Sequence, residues 1–223
     1  MDWQPTRAHQ ALEARAEFLL GLRARGIGDL PVLRAMENVP RELFVPHRYV
    51  DLANRDMALP IACGQTMPKP WLVARMMEAL ALRPDLRVLE IGAGSGYATA
   101  MLARLAREVV ALERFQSLAI AASARLERLL IRNARIAWGD GLAIDGRGGL
   151  FDRIMVHGVM PVIPENLAGL LAEGGVMLVA RQTGATGRQA LVRVTRQGKA
   201  AWHDTPVCDC RMRPLIPGLS QAT

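Results

Sequence analysis

Three glycines and three carboxylates carry the chemistry that can be read from this chain. Gly92, Gly94 and Gly96 lie in Val88-Leu89-Glu90-Ile91-Gly92-Ala93-Gly94-Ser95-Gly96-Tyr97, between an apolar run and a segment of helical periodicity. Glycine reaches positive φ and lets a ligand approach the backbone closely. A helix N-terminus adds free N–H groups and partial positive charge. The whole stretch Gly92–Gly96, with Ala93 and Ser95, is therefore a candidate ligand cradle. Its spacing is G-x-G-x-G rather than the G-x-G-x-x-G of dinucleotide sites, and no Gly-Lys-Ser/Thr follows that would make a P-loop. Glu90, just before the turn, suits a ligand with cationic sulfonium and amino groups, which points to S-adenosyl-L-methionine rather than NAD. Glu113 ends the next apolar run, with Arg114 beside it, and is placed to accept from ribose hydroxyls. Asp140, in Gly139-Asp140-Gly141 after the third run, is placed to accept from an adenine amino group. Any one of these carboxylates, taken singly, reads as an ordinary cap or surface residue. The three at consecutive strand ends favour S-adenosyl-L-methionine, with S-adenosyl-L-homocysteine as product.

The elements that must position these residues follow from periodicity. Short apolar runs at 87–91, 109–112, 135–138, 151–156 and 176–180 read as strands. They alternate with helical patterns at 71–82, 97–107, 115–130 and 166–171, as in parallel βαβ units. Two amphipathic stretches, 8–25 (Leu12, Ala16, Leu19, Leu20 and Leu22) and 31–38, read as helices before the core. Residues 39–70 carry Pro40, Pro46, Pro60, Pro68 and Pro70, and read as an ordered but irregular segment. Residues 189–195 and 200–207 flank Gln197-Gly198-Lys199 as a closing hairpin. The expected fold is α/β: a Rossmann-like, mostly parallel doubly wound sheet with an N-terminal helical lobe and a C-terminal antiparallel hairpin. Residues 1–75 are expected to form the helical, substrate-side lobe, and 76–223 the core with its hairpin.

With 223 residues the chain suits one large α/β domain with attached lobes. Net charge is +7, from 28 basic and 21 acidic residues. Arginine supplies nearly all of the positive charge; lysine occurs only at Lys69 and Lys199. The charges are spread rather than clustered, and no aromatic-rich platform accompanies them, so nucleic acid is not expected as a partner. Arg125, Arg128, Arg132 and Arg135 are expected on a solvated helix face. Three cysteines, Cys63, Cys208 and Cys210, do not make a disulfide framework, and Cys208-x-Cys210 near His203 has the wrong spacing for zinc. No metal site is expected. The N-terminus lacks a signal-peptide pattern, and no apolar run reaches the ~20 residues of a membrane span. A cytoplasmic monomer or weak dimer, without a membrane partner, is the expectation.

Upstream of the glycines lie Val39-Pro40-Arg41-Glu42-Leu43-Phe44-Val45-Pro46, Ala58-Leu59-Pro60-Ile61 and Gly64-Gln65-Thr66. Together with the glycine stretch, Val73-Ala74-Arg75-Met76 and the terminal Pro214-Leu215-Ile216-Pro217-Gly218-Leu219, they resemble the protein-L-isoaspartate O-methyltransferase family over residues 30–219. The resemblance implies an S-adenosylmethionine-dependent enzyme that methylates the carboxylate of isoaspartyl residues in damaged proteins, a repair role. It places Thr66, Gln65 and Ile61 beside the substrate. Where the family commonly reads G-Q-T-I-S, this chain reads Gly64-Gln65-Thr66-Met67-Pro68, so Pro68 occupies the family serine position without a hydroxyl or N–H. After the fourth strand the family has a small, alanine-rich stretch ending in proline; here it is His157-Gly158-Val159-Met160-Pro161. His157 and Pro161 thereby join the substrate-side candidates, and a satisfied, partly buried histidine is the plainer reading of His157. A carboxylate acceptor is already ionised at neutral pH and needs no general base. Two alternatives stay open: transfer to another acceptor (a different peptide carboxylate, a small molecule or RNA), and a non-catalytic S-adenosylmethionine-binding protein.

Overall fold

A computed structural model describes residues 7–184, 187–198 and 201–221. Seven strands form one sheet in the order β5-β4-β3-β6-β7-β8-β9. β3 (Arg87–Ile91), β4 (Glu108–Glu113), β5 (Ala134–Trp138), β6 (Phe151–Val159) and β7 (Leu171–Thr183) run parallel. β8 (Arg188–Gln197) and β9 (Ala201–Cys210) close one edge as an antiparallel hairpin. The expected hairpin turn runs into residues 199–200, which lie outside the described residues. β7 is longer than its apolar run because, beyond its ladder with β6, it pairs with β8 from Val176 to Thr183.

β3 is buried on both sides, and the strand period of two divides it. Val88 packs in the larger apolar cluster, with α3 (Pro70–Leu80) and α4 (Tyr97–Leu105). Leu89 and Ile91 pack in the second cluster, with Phe151, Leu167 and Leu171. α5 (Gln116–Arg128) joins the larger cluster through Leu126, and the short α6 (Glu165–Ala168) joins the second through Leu167. The helix expected at 166–171 is this single turn, because Leu171 already starts β7.

α1 (Arg7–Ala24) ends as its glycines require: Gly26 takes φ +89°, its N–H bonds Arg23 O, and Ile27 N–H bonds Leu22 O. Its amphipathic reading holds in the last turns; the side chain of Leu12 lies outside what the structure describes. Leu22 is buried and Phe18 and Leu19 are half-buried, but Ala16 is exposed and Leu20 is 64% exposed. α2 (Leu30–Asn38) is capped by Asp29, whose side chain accepts from Val32 N–H. Glu78 of α3 also accepts from Gly28 and Asp29 N–H, which ties the N-terminal helices to the core. The lobe boundary expected at 75/76 falls inside α3, and the larger apolar cluster runs across it.

The proline-rich segment folds as two 3-10 turns, Arg41–Phe44 and His47–Leu52, then a two-residue ladder of β1 (Leu59–Pro60) with β2 (Thr66–Met67). Its organiser is Arg41, which is 2% exposed. One guanidinium nitrogen donates to Ala53 O, and the other to Met57 O (3.1 Å) and Pro68 O (3.0 Å). Other arginines do similar work. Arg153 and Arg193 donate to Leu80, Ala81 and Ala79 carbonyls at the end of α3, where cations suit the helix dipole. Arg125 corrects the expected solvated face: it is half-buried and donates to Leu43 O (2.9 Å) and Ser95 O (3.3 Å). Arg128, Arg132 and Arg135 are exposed, but α5 ends at Arg128, so Arg132 lies in the loop after it and Arg135 on β5.

Candidate functional site

A cavity of roughly 870 Å³ opens at the carboxyl ends of β3, β4 and β6. The chain leaves β3 toward β4 and β5 on one side and returns to β6 on the other, so the cavity sits at the switch point where ligands of open α/β sheets bind.

The glycine loop forms one wall. Gly92 and Ala93 N–H both bond Leu112 O, which seats the loop on the end of β4. Gly96 takes φ +87° as the first residue before α4, and a Cβ there would lie 3.0 Å from Ala122 Cβ. Glycine is needed here for conformation and for space. Glu113 is 4% exposed; Oε2 accepts from Gly94 N–H (2.7 Å) and Oε1 from Phe115 N–H (2.9 Å). The carboxylate thus clamps the loop. Four lone-pair positions on two oxygens leave it with acceptor capacity toward the cavity it lines. Asp140 also lines the cavity. Its Oδ1 accepts from Leu142 N–H (2.9 Å) and its Oδ2 from Gly218 N–H (2.6 Å). Gly141 is forced by packing, since a Cβ would sit 2.4 Å from Ile91 Cγ2. Arg114 lines the same end and donates from Nε to Gly218 O (2.9 Å).

Glu90 departs from its expected place. On the period of two it shares the face of Val88, toward α4, and it is 0% exposed. Thr99 Oγ1 donates to its Oε2 (2.6 Å), and His157 Nε2 lies 2.8 Å from its Oε1. Its bonds run to α4 and β6, and it is not among the residues that line the cavity. His157 itself lines the cavity beside Gly92.

The opposite wall is the β1–β2 hairpin. Cys63 (φ +56°) and Gly64 (φ +61°) form its two-residue turn, closed by Gln65 N–H to Ala62 O; both are left-handed, as the favoured hairpin turn demands. Ile61, Gln65, Thr66 and Pro68 all line the cavity, and Ile61 Cδ1 approaches to 3.3 Å of a Cβ position on Gly94. The structure therefore brings hairpin and glycine loop together across one space. Pro161 is not part of it. It is exposed and borders a second depression with Arg181 and Trp202, because β6 has passed the cavity by Val159.

No motif in the C-terminal segment points to a site role, yet Arg211–Ile216 line the cavity. Val159 and Pro214 form a parallel bridge, as do Phe115 and Ser220. The segment is a strap that runs from the end of β6 to the end of β4. Two prolines in Pro214-Leu215-Ile216-Pro217 were its only sequence signal of extended backbone. Gly158 makes room for it: a Cβ there would lie 2.5 Å from Leu215 Cγ and 3.3 Å from Arg213 O. Gly158→Ala is expected to push the strap outward, raising amide exchange at 213–220 at least tenfold while leaving exchange in β3 and β4 unchanged. Hydrogen-exchange mass spectrometry checks this.

The residues fit S-adenosyl-L-methionine: the cavity is large enough, and two carboxylates with remaining acceptor capacity stand at adjacent strand ends. Among the described residues no helix is long and apolar enough to cross a membrane.

Residues 13–219 match the profile of the family described as protein-L-isoaspartate(D-aspartate) O-methyltransferase. The chain is 48% identical over 204 residues to protein-L-isoaspartate O-methyltransferase 2 of Rhodopseudomonas palustris strain HaA2, covering 92% of this chain and 93% of that protein. A protein-L-isoaspartate O-methyltransferase of Parvibaculum lavamentivorans is 40% identical, with 98% of each chain covered. Among solved structures, a Plasmodium falciparum protein described as a protein-L-isoaspartate O-methyltransferase, in complex with S-adenosyl-L-homocysteine, superposes with TM-score 0.78 at 26% identity. That match covers 90% of this chain and 97% of the other.

Proposed function

The chain belongs to the protein-L-isoaspartate(D-aspartate) O-methyltransferase family, and on that premise we propose that it methylates the side-chain carboxylate of isoaspartyl residues in proteins. Its cofactor is S-adenosyl-L-methionine, which supplies an electrophilic methyl group on a sulfonium. The observation that carries the reading is the single cavity wall on which a glycine loop, Glu113 and Asp140 stand at successive strand ends, facing the hairpin of Gln65 and Thr66.

In this reading the strand order lays the cofactor out. Asp140 at the end of β5 receives the adenine, with Gly141 keeping the approach clear. Glu113 at the end of β4 receives the ribose, and Arg114 anchors the strap beside it. Gly92 to Gly96, through Ala93 and Ser95, offer backbone to the amino-acid part. The acceptor enters between the loop and the hairpin, where Ile61, Gln65, Thr66 and His157 line the space. An ionised carboxylate needs no base, so these residues orient the acceptor and exclude water, and proximity provides the rate. The proposed partners are isoaspartyl-bearing proteins, the proposed setting is the cytoplasm, and the proposed lobe division is 1–75 and 76–223.

The test is methyl transfer to a peptide carrying one L-isoaspartyl residue, with the normal aspartyl peptide as control. Selective transfer of at least a hundredfold is expected. Equal transfer to both peptides, or none to either while S-adenosyl-L-homocysteine still binds by calorimetry, would overturn the reading.

A further inference from the structure

Glu90 and His157 form a pair in which the carboxylate is fully buried and the imidazole stands at the edge of the cavity. Glu90 is 0% exposed, and its polar partners are Thr99 Oγ1 and His157 Nε2. No arginine or lysine among the described residues bonds to it. A buried carboxylate is costly unless it is hydrogen-bonded, and Thr99 and His157 are the side chains that meet it. Nε2 is directed to Glu90. Among the described residues Nδ1 has no hydrogen-bond partner, and it is not among the buried unpaired atoms, so it opens to the cavity that His157 lines.

The register explains why the three residues meet. Glu90 pairs with Met155 across the β3–β6 ladder, and His157 stands two residues further along β6, on the same face. Thr99 lies in the first turn of α4, which packs over that face. His157 is next to the glycine loop: a Cβ on Gly92 would be 3.4 Å from His157 Cβ. Asp140, Glu113 and Gly92 end β5, β4 and β3 in spatial order, and β6 is the next strand. In the proposed layout the sulfonium with its methyl joins the ribose to the amino-acid part, so it would lie between Glu113 and the Gly92 turn, and His157 stands beside that turn. Across the cavity stands Pro68, which has no side-chain donor to offer.

We propose that His157 binds the acceptor carboxylate through Nδ1–H, with Glu90 and Thr99 as positioning residues that fix the ring. The proposal rests on the isoaspartyl reading above. It places the donor that a hydroxyl at position 68 would supply on the opposite wall. The ring would then stand between two carboxyl groups, buried Glu90 at Nε2 and the incoming acceptor at Nδ1.

Steady-state kinetics of the full chain on the isoaspartyl peptide, together with calorimetry for S-adenosyl-L-homocysteine, test it. His157→Gln is expected to raise KM for the peptide roughly ten- to a hundredfold, the loss of one hydrogen bond to a charged group, while the Kd for S-adenosyl-L-homocysteine changes less than twofold. Glu90→Gln is expected to raise peptide KM about fivefold without changing that Kd. Adding Pro68→Ser to His157→Gln is expected to recover at least fivefold of the lost KM, which a merely structural histidine would not allow. If Glu90→Gln fails to fold, the His157→Gln pair alone carries the test. An unchanged peptide KM in His157→Gln overturns the proposal. So does a Kd that weakens in step with KM, which would assign His157 to the cofactor's own carboxylate. If the wild-type chain binds S-adenosyl-L-homocysteine but leaves the isoaspartyl peptide unmethylated, both readings fall; if it methylates while His157→Gln keeps its KM, this inference alone falls.

Discussion

Arg41→Leu is expected to lower the unfolding free energy by about 2–4 kcal/mol and to weaken acceptor binding with it. Two effects oppose each other. Burial pulls the Arg41 pKa down to about 10, so the charge is disfavoured where it sits. The folded pKa is the lower one, and stability rises with pH only from about 10 upward, until the unfolded guanidinium titrates too; at neutral pH the whole cost is present. Removing the guanidinium relieves that cost. It also strands the carbonyls of Ala53, Met57 and Pro68, and each stranded acceptor costs about 1–3 kcal/mol. Three stranded acceptors, together with the lost packing against Tyr97, outweigh one relieved charge. Arg41→Lys is expected to recover little, because one ammonium lacks the planar fork that spans three carbonyls. Urea unfolding followed by circular dichroism measures the first effect. Peptide KM measures the second, since Pro68 O is one of the three anchors. Equal midpoints for Arg41→Leu and the wild type would show that the carbonyls find other donors.

Glu113→Ala is expected to weaken S-adenosyl-L-homocysteine binding by a hundredfold or more, read by calorimetry. The carboxylate does two things at once. It clamps Gly94 and Phe115 N–H, and in the proposed layout it accepts from the ribose hydroxyls. A hydrogen bond to a charged group is worth roughly 1.5–3 kcal/mol, so losing the ribose contact alone costs ten- to a hundredfold. A loosened loop adds to that. Glu113→Gln keeps one acceptor oxygen and is expected to fall between wild type and alanine. A change under threefold in Glu113→Ala would remove Glu113 from the cofactor site and leave it a loop clamp only.

The parallel core was legible because its strands are buried on both faces and read as short apolar runs between helical patterns. Arg87–Ile91 matches the expected run to the residue. The glycine loop was legible because turn, spacing and helix start coincide in one stretch. What escaped has particular causes. Glu90 was assigned by its place before the loop, whereas its direction follows from strand parity: Val88 and Glu90 face α4, while Leu89 and Ile91 face the other cluster. Parity was available in the sequence and would also have put Met155 and His157 on that face. Arg125 was read from charge, which does not reveal that a long side chain will reach carbonyls on two other segments. The two-residue turn at Cys63-Gly64 escaped because cysteine is not a residue that favours positive φ. The strap escaped because its contacts are backbone bridges to strands far away in sequence, and no local pattern encodes those.

In the proposed layout the strap would also set a speed. Its backbone bonds at Val159, Arg114 and Gln116, together with the Gly218 N–H to Asp140, fasten it beside the cavity at both ends. A nucleoside received by Asp140 and leaving past the strap would wait for those bonds to open. Such local openings have free energies well below that of global unfolding, and their frequency would be an upper bound on exchange of spent for fresh cofactor. Turnover on a good acceptor would then be limited by release, as in enzymes whose lids move more slowly than their chemistry, and a variant with a loosened strap would turn over faster at saturating cofactor while holding the cofactor less tightly.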